Sequence, residues 1–339
     1  SGTISGQITG NYALQFGYTG ERPGAVTITN PLNNWTGDTT VTGGGATGSS
    51  GRIFTLTLGA DNVLPYGASA GDLYVGTHNT RINTGGNNHN INGLNDNTGT
   101  YGRIYGGGTF TLGNNDASGS YSGELTVDQL VKTGTGTQTF NGSVTASTGT
   151  TVSGGTLAID GAFLGAGNNL SVGAGGTFRL DDNGTMRNGG SVNVDPAGSF
   201  VLDGGALEYT SATDFIGPVT FNAGRLEGTN WHGSLDGLTI GTDQTVAPGT
   251  SPGQASTGTQ SWVDGGTFEM EMNAATGLPG TNWDHLALDT ELDLSGLTSG
   301  TFTVKLVSLD PANDPGFVLD FQDKGQLVFQ NFPEEYQQR

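Results

Sequence analysis

Carboxylates are the most numerous side chains in this sequence that could do chemistry. The chain of 339 residues has 31 Asp and Glu against 11 Lys and Arg, and it has no cysteine. Two carboxylates about 5–9.5 Å apart on one face could hydrolyse a glycosidic bond. Asp181 and Asp182 would point to opposite faces of a strand, whereas Glu269 and Glu271 would share one face and point to water. Structural or solvated roles are therefore favoured for both pairs, with catalysis as the alternative.

The segment Asp181-Asp182-Asn183-Gly184 is a weak candidate for Ca²⁺, since hard oxygen ligands cluster in such turns. It lacks the remaining spaced acids of a calcium loop, so a plain Asn-Gly turn is the favoured interpretation. Trp283-Asp284-His285 brings an Asp and a His together, but no G-x-S-x-G elbow accompanies them. Metal-ligand spacing is absent among the four histidines, which are His78, His89, His232 and His285. We predict no catalytic residue, cofactor or metal site.

Tryptophan rings are the remaining candidates for chemistry, because aromatic rings stack on sugars. Trp231-His232 is the best single candidate for a glycan platform, with packing in the core as the alternative. A glycan-binding protein should present several tryptophans in a row on one face. The four available are Trp35, Trp231, Trp262 and Trp283.

The charge balance excludes several classes of protein. A formal net charge of −20 and a pI near 4.1 argue against nucleic acids and anionic membranes, because phosphate contacts need Lys and Arg. No apolar run approaches 18 residues, so we predict no membrane span. Without cysteine there is no disulfide scaffold and no Cys-based zinc site.

The elements that must position these residues are short strands. Glycine accounts for 62 residues and no 12-residue stretch has a convincing 3.6-residue period, which disfavours helices. Apolar alternations recur at steps of 21, 22 and 19 residues, beginning at Leu157, Phe178, Phe200 and Val219. A period near 20 with two strands per repeat predicts an all-β parallel β-helix, or β-solenoid, whose coils bury their apolar faces by stacking. The side chains expected in the core include Phe178, Leu180, Val192, Val194, Phe200 and Leu202.

Two regions differ in composition. Residues 1–260 are predicted to form the solenoid, with Gly/Thr/Asn-rich repeats. From residue 261 the strands lengthen and glycine becomes less frequent, so we predict that residues 261–339 form a C-terminal β-rich cap or small β-sandwich. Such a cap covers a sheet edge that the last coil would otherwise expose.

One segment resembles a known family. Leu130-Val131-Lys132-Thr133-Gly134-Thr135-Gly136, followed by Thr137 to Gly142, closely resembles the signature strand of the autotransporter-associated β-strand repeat. Thr150 to Leu157 follows at the spacing of that family, and Asn34 to Val41 resembles part of another copy. The resemblance implies a bacterial β-helix that is secreted or displayed on the cell surface, commonly as a structural or adhesive protein. It brings no catalytic residues.

These observations predict a non-enzymatic, extracellular structural protein that is surface-displayed or self-assembling, as a filament or surface-layer subunit. Residue 1 is Ser rather than Met, which predicts removal of a signal peptide. A rod with unlike ends can associate end to end. The strand-forming C-terminal tail is expected to add to a neighbour's sheet edge through Leu327, Val328, Phe329, Phe332 and Tyr336. The alternative is a carbohydrate-binding or carbohydrate-degrading β-helix, whose ligand would be a glycan at the cell surface.

Overall fold

The computed structural model describes residues 1–17, 23–43, 53–76, 79–97, 102–165, 169–249, 252–273, 278–298, 300–309 and 317–320. Strands dominate this part of the chain, and they stack in parallel coils. The predicted all-β solenoid is therefore confirmed. None of its helical segments is long and apolar enough to cross a bilayer.

The first third of the chain contains short strands separated by turns, because glycine and asparagine interrupt each apolar alternation after a few residues. A single turn of 3-10 helix, Asn114–Asp116, lies between β11 and β12. The strands are β1 (Gly2–Ile4), β2 (Leu14–Gly17), β3 (Gly24–Ile28), β4 (Thr39–Thr42), β5 (Phe54–Leu58), β6 (Leu73–Gly76), β7 (Thr80–Asn83), β8 (His89–Asn90), β9 (Leu94–Asn97), β10 (Arg103–Tyr105), β11 (Thr109–Leu112) and β12 (Gly119–Tyr121).

The middle and last parts contain several longer strands that continue around a corner of the solenoid. The middle strands are β13 (Glu124–Lys132), β14 (Thr137–Phe140), β15 (Val144–Val152), β16 (Gly155–Ile159), β17 (Ala162–Gly165), β18 (Asn169–Val172), β19 (Gly176–Leu180), β20 (Thr185–Asn188), β21 (Val192–Val194), β22 (Ser199–Tyr209) and β23 (Val219–Gly228). The last strands are β24 (Thr239–Ile240), β25 (Gln244–Pro248), β26 (Gln254–Thr257), β27 (Gln260–Trp262), β28 (Thr267–Met272), β29 (His285–Leu288), β30 (Leu292–Asp293), β31 (Thr303–Ser308) and β32 (Phe317–Asp320).

Each middle coil has three strand segments, which define three sides of the rod. Side one runs from β1 through β3, β5, β7 and β10 to β31, each strand parallel to the one before. Side two includes β8, β11, β18 and β21, and side three includes β14, β16 and β19. The prediction of two strands per repeat was wrong, because each middle coil covers three sides. A strand such as β13 turns a corner and contributes to two of them.

The predicted repeat is confirmed in the middle of the rod. Leu157 pairs with Phe178, Phe178 with Phe200, and Phe200 with Val219, so the steps in sequence are the steps between coils. The six side chains expected in the core are buried, with at most 4% of each exposed. The period lengthens at both ends, where Val26 pairs with Leu56 and Phe268 with Val304, because longer loops are inserted between strands.

The parallel stack continues beyond residue 260. Strands β25 and β28 pair in parallel, as do β28 and β31, and Phe302, Val304 and Leu306 are buried as the alternation indicates. The described residues between 261 and 308 therefore continue the solenoid past the predicted boundary, and most of residues 309–339 of the predicted cap lie outside the described residues. The antiparallel strand β32 lies on β31 and covers this edge of side one.

Candidate functional site

In the first coil, residues 1–17, the strands are paired on one side only within the described residues. Strand β1 pairs only with β3, and β2 only with β4, among the described residues. The Ile4 carbonyl accepts a hydrogen bond from Thr29, so Ile4 directs its backbone groups towards the second coil. Because neighbouring residues of a strand direct these groups to opposite sides, the N–H and C=O of Thr3 point away from the second coil.

This edge carries no feature that blocks strand addition. Residues 1–17 contain no charged side chain and no proline, whereas exposed edges are usually protected by charges, prolines or bulges. Two apolar side chains of the first coil are exposed, Ile4 by 39% and Tyr12 by 79%. Below them, Phe16 packs edge-on against Trp35 with ring centroids 6.2 Å apart and closes the core. The side chains of residues 1–17 are therefore uncharged, and the outward backbone groups of Thr3 have no partner among the described residues.

The opposite end is different. Strand β32 covers β31 on side one, and the carboxylates of Asp289 and Glu291 are exposed on the last full coil. The two ends therefore differ in both charge and backbone pairing.

A second candidate is a trough on side one, where two adjoining depressions of about 300 and 350 Å³ share Thr185 and Ala206. Its lining includes the small residues Gly184, Gly205 and Ala206. The charged side chains that line it are Asp182, Arg187, Glu208, Arg225, Glu227, Asp243 and Glu269.

Ion pairs within and between coils use most of these charges. Arg187 pairs with Glu208, and Arg225 contacts Glu227 at 3.0 Å and Glu269 at 2.7 Å. Lys305 contacts the other oxygen of Glu269 at 2.8 Å. Burial opposes ionisation of Glu269, but the hydrogen bond from Lys305 and the charge of Arg225 outweigh it and hold its pKa below the usual value. Glu269 therefore stays ionised, and an ionised carboxylate has no proton to donate as a general acid.

The expected exposure of Glu269 was wrong, because these pairs leave only 13% of its side chain exposed. Glu271 is intermediate rather than exposed.

Many other carboxylates hold the corners of the solenoid. Asp72 accepts the N–H of Gly93, Asp116 that of Thr135, and Asp236 that of Thr259, at 2.7–2.9 Å. In each case the acceptor belongs to one coil and the donor to the next. This use explains part of the acidic composition without catalysis.

The predicted glycan platform is wrong at Trp231. Its side chain is fully buried, so no ring face is available for a sugar. His232 is partly exposed, with its Nε2 3.9 Å from Asp289. Trp35 and Trp262 are also buried, so the row of exposed tryptophans expected of a glycan-binding protein does not occur in the described chain. The alternative of core packing holds.

The other polar candidates are engaged in structural contacts. Asp181 forms an ion pair with Arg179, and its carbonyl accepts the N–H of Gly184. The backbone N–H of Asn183 donates to the carboxylate of Asp160, and the segment forms the expected turn. Asp284 is buried and accepts the N–H groups of Gly253 and Glu271; burial raises its pKa to about 6.

No cluster of three or more His, Asp or Glu side chains able to hold a metal occurs in the described chain. Calcium at the Asp181–Gly184 turn remains a prediction.

Lys132 is an important residue whose role sequence reasoning missed. It lies in the segment that resembles the family signature and is fully buried. Its ammonium donates to the carbonyls of Thr133 at 2.5 Å, Gly134 at 3.3 Å and Gly154 at 3.3 Å, and so joins two coils. A glycine is required at 134, where φ is +67° and a Cβ would lie 2.1 Å from the carbonyl oxygen of Gly113. The Lys-Thr-Gly segment, residues 132–134, therefore joins two coils at this corner of the solenoid.

The tail residues predicted to mediate assembly, Leu327, Val328, Phe329, Phe332 and Tyr336, lie outside the described residues, as does His78.

Comparison with protein-family models, with curated proteins and with solved structures finds no match to this chain. The described residues define a three-sided parallel β-solenoid. The resemblance to the autotransporter-associated repeat rests on the quoted residues.

Proposed function

We propose that this protein is a non-enzymatic structural rod that works outside the cell and self-associates through its end. The observation that supports this most directly is that β1 and β2 pair on one side only within the described residues, where residues 1–17 hold no charged side chain and no proline. Strand addition at such an edge supplies main-chain hydrogen bonds without requiring specific side chains. A surface location agrees with the family resemblance, and a cell-surface ligand remains part of this proposal.

The corner contacts favour a structural role over catalysis. Carboxylates that hold turns or pair with arginine are committed to the stability of the coil stack. A filament or surface layer needs a second contact as well, and the predicted tail segment supplies a candidate for it.

Replacing Thr3 with proline should abolish self-association. Proline removes the N–H of Thr3 that points away from the second coil, while the contact of Ile4 with the second coil is kept. Sedimentation velocity at several concentrations measures the effect, and Thr3→Val is the matched control because it keeps both the N–H and the branched shape. We expect wild type and Thr3→Val to associate more strongly with added salt, which screens the charge of −20. A monomeric wild type at high concentration and physiological salt would contradict the proposal.

Glycan binding is the second candidate function, and the charged trough on side one favours it. A lining of charged and small side chains suits an extended sugar chain. If the trough binds glycans, Glu227→Gln should weaken the affinity for a neutral polysaccharide at least tenfold in calorimetric titration, whereas Glu124→Gln, outside the trough, should not. Release of reducing ends during incubation would instead indicate a degrading enzyme.

A further inference from the structure

We infer that a cleft between the second coil, residues 24–42, and the third coil, residues 54–76, binds one uncharged sugar ring of a glycan. The cleft lies where segment 31–35 meets segment 62–70, and its volume is about 150 Å³. This site is separate from the trough on side one, and its function does not depend on self-association.

The third coil contains extra residues at this cleft. Fourteen residues, 59–72, connect β5 to β6, whereas the neighbouring coils use ten for the same connection, 29–38 before β4 and 84–93 before β9. The longer connection includes Tyr66, whose side chain lines the cleft and is 44% exposed. Connecting segments carry a large share of the binding residues in proteins. An insertion that adds an exposed aromatic ring therefore favours a ligand site here.

Two buried asparagines hold the walls of the cleft. Asn33 donates to the carbonyl of Val63 at 2.9 Å and so joins segment 31–35 to the third coil. Asn92, from the fourth coil, accepts the N–H of Gly67 at 2.8 Å and donates to the carbonyl of the same residue at 3.1 Å. Because both walls are already fixed, a ligand would bind without the cost of ordering them.

Polar groups with spare hydrogen-bonding capacity line the cleft. The Oδ1 of Asn62 accepts hydrogen bonds from the backbone N–H and the side-chain amide of Asn90, at 3.0 and 2.9 Å. The NH₂ group of Asn62 donates to no other residue in the described chain. The same holds for the side-chain polar groups of Asn34, Tyr66 and Ser69, which also line the cleft. Amides and hydroxyls beside an aromatic ring suit a sugar, whose hydroxyls need donors and acceptors while its C–H face packs on the ring.

The lining also sets the charge and size of the ligand. No charged side chain of the described chain lines this cleft, although the protein has a net charge of −20. An anionic ligand would find no cation there, so its desolvation would go uncompensated. The volume is smaller than the roughly 300–1,000 Å³ of sites for drug-sized molecules, which restricts the ligand to a single ring.

Saturation-transfer difference NMR on the whole chain tests this inference. The probes are the methyl pyranosides of glucose, galactose and mannose, with methyl glucuronide as the charged comparison. We expect at least one neutral pyranoside to bind, and Tyr66→Ala to weaken that binding about tenfold through the loss of one aromatic contact. Tyr66→Phe keeps the ring and should bind like the wild type. Tyr12→Ala is the matched control, because Tyr12 is 79% exposed and lies outside the cleft.

Three results would overturn the inference. The first is that none of the neutral pyranosides binds, and the second is that binding survives Tyr66→Ala. If that surviving binding is lost in Glu227→Gln, the ligand occupies the trough on side one instead. The third is that methyl glucuronide binds as tightly as the neutral sugars, which would contradict an uncharged ligand. Sedimentation of Tyr66→Ala should match the wild type, so this inference and the proposed self-association fail or hold separately.

Discussion

Replacing Phe200 with alanine should lower the free energy of unfolding by about 3–5 kcal/mol, as expected for a phenylalanine removed from a packed core. Phe200 is fully buried, stacks on Phe178 at a centroid distance of 5.3 Å and meets Phe215 edge-on at 5.1 Å. These rings come from successive coils. The loss therefore opens a cavity at the centre of the rod, where both neighbouring coils lose contacts.

Chemical denaturation followed by circular dichroism measures this change. Ile216→Ala is the matched control, because Ile216 lies in the same part of the rod but is 57% exposed, and we expect its effect to stay within about 0.5 kcal/mol. Equal losses in the two variants would show that the aromatic column is not the stabilising core.

The core was predictable because strand periodicity is a local property. Alternation placed Phe178, Leu180 and Phe200 on the inner face, and the spacing of successive alternations matched the register between coils. The number of sides was not predictable in the same way. A strand that bends around a corner keeps its apolar alternation, as β22 does, so one run in sequence serves two sides.

Individual polar and aromatic residues were less predictable, because their roles depend on the neighbouring coil. In the sequence, Trp231 lies among polar residues, as a tryptophan that stacks on sugars would. In the fold, its side chain is buried. Glu269 alternates outward, but Arg225 and Lys305, which bury it, come from positions 44 and 36 residues away. Contacts of this range carry no local signal.

Replacing Lys132 with methionine should destabilise the protein by about 2–4 kcal/mol at pH 7. Three buried carbonyls lose their charged donor, and hydrogen bonds to a charged group contribute about 1.5–3 kcal/mol each, partly offset by relief of burying the ammonium. Methionine keeps the length of the side chain, so packing changes little. Lys305→Met is the matched control, since that side chain is 52% exposed in its contact with Glu269 and we expect less than about 1 kcal/mol.

The difference between wild type and Lys132→Met should widen as pH rises. Burial lowers the pKa of Lys132 from 10.5 to about 8, so between these values the unfolded chain holds a proton that the folded chain has released. Stability increases with pH wherever the unfolded state binds more protons, and methionine removes this contribution. Denaturation of both proteins at pH 7 and pH 9.5 measures it. If the difference in unfolding free energy between the two proteins narrows over this interval, the prediction is contradicted. That result would mean that the three carbonyls stabilise the ammonium more than burial disfavours it.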